Sequence, residues 1–80
     1  MQISSIIDTL KKILADQLSA DWDIITADTD IINDLGADSL DIAEILTGIE
    51  QDFGLIVADA ALENVKTVGE LAALIEQLLK

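Results

Sequence analysis

Three stretches of this 80-residue chain repeat aliphatic residues at the three- and four-residue intervals of an α-helix, and this pattern is what most limits its fold. They cover residues 3 to about 18, residues 38–53 and residues 68–79. No segment alternates apolar and polar residues convincingly, as a half-buried strand would, so the sequence predicts an all-α fold. The residues predicted to be buried are Ile3, Ile6, Ile7, Leu10, Ile13, Leu14 and Leu18; Ile42, Ile45, Leu46, Ile49 and Phe53; and Val68, Leu71, Ala72, Ile75 and Leu78.

Capping residues mark the ends of the second and third stretches. Asp38 with Asp41, and Thr67 with Glu70, have the spacing of a capping box, in which the two side chains accept hydrogen bonds from each other's backbone N–H groups. Gly54 follows the second stretch and is the residue type that most often ends a helix. We therefore expect long helices that begin at Asp38 and Thr67 as N-caps.

Two segments lie between the long helices. Residues 59–64 can form one short helix, with Asp59 as its cap. Residues 19–38 show no sustained period, and their apolar groups predict a long loop held against the core by Ile24-Ile25, Ile31-Ile32 and Leu35. The sequence thus predicts a small four-helix bundle, with three long helices, one short helix and a long first loop, in a single domain over residues 1–80.

The charge balance limits the partners of the chain. Sixteen acidic residues face four basic ones, for a formal net charge of −12, so nucleic acid and anionic membranes are excluded as partners by repulsion. No apolar run has the roughly 20 residues that span a bilayer, and residues 1–5 lack the features of a signal peptide. We expect a monomeric cytoplasmic protein whose partners have basic surfaces.

The segment 34–41, Asp-Leu-Gly-Ala-Asp-Ser-Leu-Asp, carries the chemistry. Gly36 permits a tight turn, and Asp38 caps the helix, which leaves the hydroxyl of Ser39 free. A helix start bears unpaired N–H groups and a positive dipole, so a phosphate ester at Ser39 is well tolerated. Each of these features alone is more often an ordinary turn or cap; their combination is much more specific.

The segment resembles the attachment signature of the acyl carrier protein family, Asp-Leu-Gly-x-Asp-Ser-Leu, which residues 34–40 match without a gap. Asp41, Glu44 and Glu50 match acids that follow the signature, and the helix order matches over nearly the whole chain. The resemblance implies that a phosphopantetheinyl transferase moves 4'-phosphopantetheine from coenzyme A onto Ser39. Acyl groups would then ride as thioesters on the thiol of this arm.

The resemblance also implies roles for the residues around Ser39, with Asp38 and Leu40 flanking the cofactor. The face that would dock acyl-transferring and acyl-elongating enzymes with basic patches comprises Asp38, Leu40, Asp41, Ala43, Glu44, Thr47 and Glu50. The acyl chain would rest among Ile42, Leu46, Ile49 and Leu62.

The solvent face of the second helix departs from the family pattern. Helical geometry places Leu40, Ala43, Glu44, Thr47, Gly48 and Gln51 on this face. Ala43 stands where the family commonly has Val, Thr47 where it has Met, and Gln51 where it has an acid. The smaller apolar patch indicates a specialised carrier in fatty-acid or related lipid synthesis, with its own set of partners.

The chain lacks the means to load itself and is expected not to be an enzyme. It has no His or Cys to act as a base, its lysines are remote in sequence from Ser39, and acids crowd the site. A partner must therefore supply the base, the metal and the cations. We expect no catalytic residue and no metal site.

Four alternative functions compete with this interpretation. A carrier for polyketides or peptides shares the fold and the serine, although Asp38 and the strong acidity favour the fatty-acyl type. An acidic helical interaction domain without cofactor is the alternative from another class. A serine hydrolase would need a His and a Gly two residues after the nucleophile, where Asp41 stands. A calcium domain would need EF-hand spacing, which is absent.

Overall fold

The computed structural model describes residues 2–79; the side chains of Asp59, Leu62 and Glu63 lie outside what it describes. These residues form three α-helices, α1 (Ile3–Leu18), α2 (Ser39–Phe53) and α3 (Val68–Leu78). A first 3-10 helix covers Trp22–Ile24 and a second covers Asp59–Asn64. Over the described range the fold is all-α, as predicted, and the short fourth helix is of the 3-10 type.

The predicted caps close both ends of α2. The Asp38 carboxylate accepts a hydrogen bond from the Asp41 backbone N–H at 2.9 Å, and the Asp41 carboxylate accepts one from the Asp38 N–H at 3.2 Å. Gly54 ends the helix in the left-handed conformation, with φ +69°, which costs glycine little because it has no Cβ. The start of α2 is therefore set by residues on either side of Ser39.

Helix α1 lies against both of the other long helices, and its buried residues belong to the core. Gln17 contacts Glu44 and Ile13 lies beside Gly48, so α1 runs antiparallel to α2. A Cβ at Gly48 would lie 3.1 Å from Ile13 Cγ2, so this glycine permits the close approach of the two helices. The expectation that Gly48 lies on the solvent face is wrong, because α1 covers it.

The ends of the predicted apolar stripes are exposed. Ile3 and Leu78 lie in the first turn of α1 and the last turn of α3, and both are exposed. In the first loop, Ile25 and Ile31 are buried, whereas Ile24 is 59% exposed and Ile32 56% exposed. Each apolar pair thus holds the loop to the core through one member only.

A set of backbone hydrogen bonds, here called the loop–helix seam, joins the first loop to the start of α3. The first N–H groups of a helix have no partner within the helix, and here loop carbonyls accept two of them. The three bonds of the seam run from Ile31 N to Lys66 O (2.9 Å), from Val68 N to Thr29 O (3.0 Å) and from Gly69 N to Ala27 O (2.8 Å).

None of the helices within residues 2–79 combines the length and apolar character that a bilayer-spanning segment needs.

Replacing Gly69 with alanine tests the seam. Its Cβ would lie 3.0 Å from the carbonyl oxygen of Ala27, so the loop backbone must move away. We expect Gly69→Ala to destabilise the fold by about 1 kcal/mol, because overpacking costs ~1–3 kcal/mol and better helix propensity returns up to ~1 kcal/mol. Chemical denaturation measures the stability, and amide hydrogen exchange measures protection at Ile31 and Val68.

Gly48→Ala is the matched control, because its new methyl would meet the Ile13 side chain and not the loop backbone. It should leave exchange in the seam unchanged. If Gly69→Ala leaves amide exchange at Ile31 and Val68 unaltered, the seam does not depend on the close approach of Gly69 to the Ala27 carbonyl.

Candidate functional site

Ser39 is the first residue of α2 and is exposed. Because Asp38 and Asp41 form the cap with each other's backbone N–H groups, the hydroxyl of Ser39 is not needed for it. The side chain therefore lies at the positive end of the helix dipole, where a phosphate ester is favoured. The sequence prediction of a free serine at a capped helix start is confirmed in its geometry.

The turn before Ser39 depends on Gly36 and Ala37. Gly36 has φ +72°, a left-handed conformation that other residues adopt only with strain, and no atom beyond its two chain neighbours lies within 4 Å of where its Cβ would be. Position 36 thus needs glycine for its backbone conformation and not because a Cβ would lack space. Ala37 is buried and donates its N–H to Ile31 O at 3.3 Å, which holds the approach to Ser39 against the core.

Asp30 braces this turn, a role that the sequence analysis missed. One of its carboxylate oxygens accepts from the backbone N–H groups of Ile32 (3.0 Å) and Asn33 (2.8 Å), and the other accepts from the Asn33 side-chain amide (3.0 Å). The hydrogen bond from the Asn33 backbone is the largest cause that lowers the pKa of Asp30 below 3.8. The Asp34 carboxylate in turn accepts a hydrogen bond from the Asp30 N–H at 2.9 Å. This acid of the signature therefore helps to hold the turn.

The proposed docking residues form a mostly exposed surface on α2. Leu40 is 68% exposed and gives this surface a large apolar side chain next to Ser39. Asp41 is half-buried, and Gln17 on α1 donates a hydrogen bond to the Glu44 carboxylate. The other members, Asp38, Ala43, Thr47 and Glu50, are exposed, as is Gln51. Their exposure agrees with the sequence analysis, and their role in docking stays a prediction.

The residues predicted to hold an acyl chain are only partly brought together. Leu46 and Ile49 are buried in the core, and Ile42 is half-buried at its edge. The Leu62 side chain lies outside the described part of the chain. The pocket among these residues therefore stays a prediction, and it requires the packed core to open.

An open depression of about 470 Å³ lies directly beside Ser39. Its apolar walls come from the first loop and from α2, and Asp38 is its only charged residue. The residues that line it are Ile32, Ala37, Asp38, Ser39 and Ile42. Of the predicted acyl-chain residues, only Ile42 belongs to it. The role of Ile32 was missed because its place beside Ser39 depends on how the loop folds back.

Among the described residues, no three His, Cys, Asp or Glu side chains are grouped so that they could hold a metal ion. Acids dominate the sequence around Ser39, since Asp38 precedes it directly, Asp41 follows two residues later and Asp34 lies five residues before it. Lys11 is engaged elsewhere, where its ammonium lies 4.7 Å from the centre of the Trp22 ring. The site can present a hydroxyl, and the charge around it discourages an incoming anion.

The chain matches a protein-family model described as the phosphopantetheine attachment site. The match covers residues 8–75, which include Ser39, all of α2 and most of α1 and α3.

The lowered pKa of Asp30 predicts a pH-dependent stability difference. The folded state favours the ionised carboxylate more than the unfolded chain does. The carboxylate therefore stabilises the fold fully above its ordinary pKa of 3.8, and this stabilisation is lost as the pH falls through the lower pKa of the folded state. We expect Asp30→Asn to be less stable than the parent at neutral pH, with a difference that shrinks below pH 3.8. Urea unfolding at stepped pH measures it.

Asp28→Asn is the control, because the exposed Asp28 carboxylate takes no part in the bracing of the turn. It should show a smaller difference from the parent at neutral pH. A destabilisation by Asp30→Asn that stays constant across the acid range would contradict the role of the ionised carboxylate.

Proposed function

The chain belongs to the phosphopantetheine attachment family, whose prosthetic group is 4'-phosphopantetheine, and we propose that it is an acyl carrier protein with the arm on Ser39. The observation that carries the proposal is the position of Ser39: exposed, first in α2, and beside a cap that other residues form. A phosphodiester fits there because the helix start favours anionic oxygen. Once attached, the arm supplies a terminal thiol that forms thioesters with acyl groups.

Loading requires a separate transferase. The Ser39 oxygen attacks the phosphorus that bears the pantetheine in coenzyme A, a new P–O bond forms, and the pyrophosphate bond breaks to release adenosine 3',5'-bisphosphate. The serine proton must pass to a base, and the chain has neither His nor Cys. The acids around Ser39 would repel coenzyme A, so the transferase must bring cations that neutralise the pyrophosphate.

We further propose that the cargo is of the fatty-acyl type. Aliphatic residues make up nearly all of the core, which includes Ile45 and Ile49 on α2 and Ile75 on α3. An alkyl chain gains about 0.8 kcal/mol for each methylene that leaves water, which favours its entry beside Ile42 toward Leu46, Ile49 and Leu62. Such an entry would shield the chain while the thioester stays accessible at the helix start.

The docking surface on α2 supports a carrier with a restricted set of partners. Leu40 supplies the main apolar contact next to Ser39, and Glu44 and Glu50 supply negative charge for basic patches. Ala43 and Thr47 leave this surface shallow, and the Thr47 hydroxyl donates to the Ala43 carbonyl at 3.1 Å. We infer that partners of this carrier, in fatty-acid or related lipid synthesis, fit a flatter apolar patch.

Modification by a phosphopantetheinyl transferase tests the attachment. Incubation with coenzyme A should add the mass of one arm to the chain, because only Ser39 lies in the signature. Ser39→Ala should gain none and keep its helical circular-dichroism spectrum. Intact mass and peptide mapping give the result; an arm on Ser4, Ser5 or Ser19, or on Ser39→Ala, would refute the assignment.

The same mass assay identifies the cargo. The protein with its arm is offered in turn to enzymes that load fatty-acyl, malonyl and aminoacyl groups, and the mass gain of each is compared. Preferential fatty-acyl loading supports the proposal. Preferential aminoacyl loading, or polyketide extension, would assign the chain to the other carrier types.

Charge reversal at Glu44 tests electrostatic docking. We expect Glu44→Lys to slow loading several-fold at low ionic strength, mainly through KM, with the difference fading as salt screens the charges. Because Glu44 is exposed and its bond to Gln17 lies at the surface, stability should change by less than about 0.5 kcal/mol. Transferase kinetics over a salt series and chemical denaturation measure the two effects.

Asp8→Lys is the control with the same change in charge. Asp8 is exposed on α1, whose antiparallel course places it toward the end of α2 that is far from Ser39. It should slow loading much less. Equal effects of the two reversals would show that net charge matters and the docking position does not.

A further inference from the structure

The depression beside Ser39 has one wall that the carrier function does not yet explain. Ile32 lines it from the first loop, and 56% of this residue is exposed. Its neighbour Ile31 already anchors the loop in the core. The exposed isoleucine is therefore not required for attachment of the loop, and it leaves a large apolar side chain in contact with water.

The backbone of Ile32 is held on both sides. Its N–H donates to the Asp30 carboxylate at 3.0 Å, and its carbonyl accepts from the Gly36 N–H at 3.0 Å. The opposite wall, Ile42, lies on the first turn of α2, which is fixed by the Asp38 cap. The two walls are thus in place before any ligand arrives, which lowers the ordering cost of binding.

The chemistry of the arm places one apolar group close to these walls. After the phosphate ester at Ser39 comes a single methylene and then a quaternary carbon with two methyl groups. The groups that follow, a hydroxyl and two amides, are polar up to the thiol. The dimethyl group is therefore the first apolar part of the arm, and the depression, which Ser39 itself lines, is an apolar surface at the point of attachment.

We propose that this depression binds the dimethyl group of the phosphopantetheine arm, with Ile32 as the loop wall and Ile42 as the helix wall. The proposal rests on the attachment of the arm at Ser39. The contact is small and open to solvent, so the arm rests along the first loop and leaves when a partner draws it away. The polar portion and the thiol stay in water, where acyl groups are loaded.

Nuclear Overhauser contacts in the protein with its arm test the proposal directly. Coenzyme A labelled with ¹³C in the dimethyl group is used with the transferase, and the isoleucine δ1 methyls of the protein are labelled separately. We expect contacts from the dimethyl protons to Ile32 and Ile42, together with shifts of both methyl signals on attachment. Ile32→Ser should weaken the contacts with Ile42 as well, and should move the dimethyl signal toward the position it has in the same arm on the urea-unfolded protein.

Ile24→Ser is the matched control. Ile24 lies in the same loop and is 59% exposed, but it does not line the depression. This variant should keep the contacts of the arm with Ile32. If Ile32→Ser changes the helical spectrum, the contacts in the unaltered protein decide the matter alone.

The intact mass of the protein distinguishes a failure of this proposal from a failure of the carrier function. A full gain of the arm on Ser39 without contacts to Ile32 would overturn this proposal and leave the carrier function standing. Contacts to Ile56 in place of Ile32 would also overturn it, since the arm would then run toward the second 3-10 helix. Absence of the mass gain would overturn both.

Discussion

The loop–helix seam is the interaction on which the rest of the structure depends. The first loop has no regular structure over most of its length, and α3 begins with N–H groups that its own helix cannot satisfy. Hydrogen bonds such as the one from Gly69 N to Ala27 O, at 2.8 Å, fix the path of the loop and also give the first N–H groups of α3 an acceptor. Because the loop is fixed at residues 27–31, the turn that follows it can deliver Ser39 to a defined place.

Two further constraints act between the seam and the serine, and each is local. Asp30 holds the turn through backbone N–H groups, and Gly36 supplies the left-handed conformation that reverses the chain. Asp38 then begins α2 with Ser39 exposed. Asp38, which builds the start of the helix, also puts negative charge beside the hydroxyl, and this charge discourages an incoming anion.

The elements that sequence patterns predicted well are those that local interactions determine. The bounds of α2 follow from the Asp38 cap and from Gly54, and the placement of Ser39 follows with them. Features that depend on distant parts of the chain were missed, namely the seam and the depression beside Ser39. The period of a helix also shows which side is apolar but does not show what covers each position. For this reason the sequence predicts Gly48 on the solvent face, although α1 covers it, and Leu78 in the core, although it is exposed.

The seam is made by backbone atoms, and this separates the position of the first loop from the identity of its outward side chains. A substitution at Ile24 or Ile32 leaves the N–H and C=O groups of the seam in place. The loop can therefore diverge in sequence on its outer side without losing its path, provided that position 69 keeps a residue as small as glycine. Related carriers with the same fold could in this way differ in the surface beside the serine at little cost in stability. Such differences would let them bind different partner enzymes.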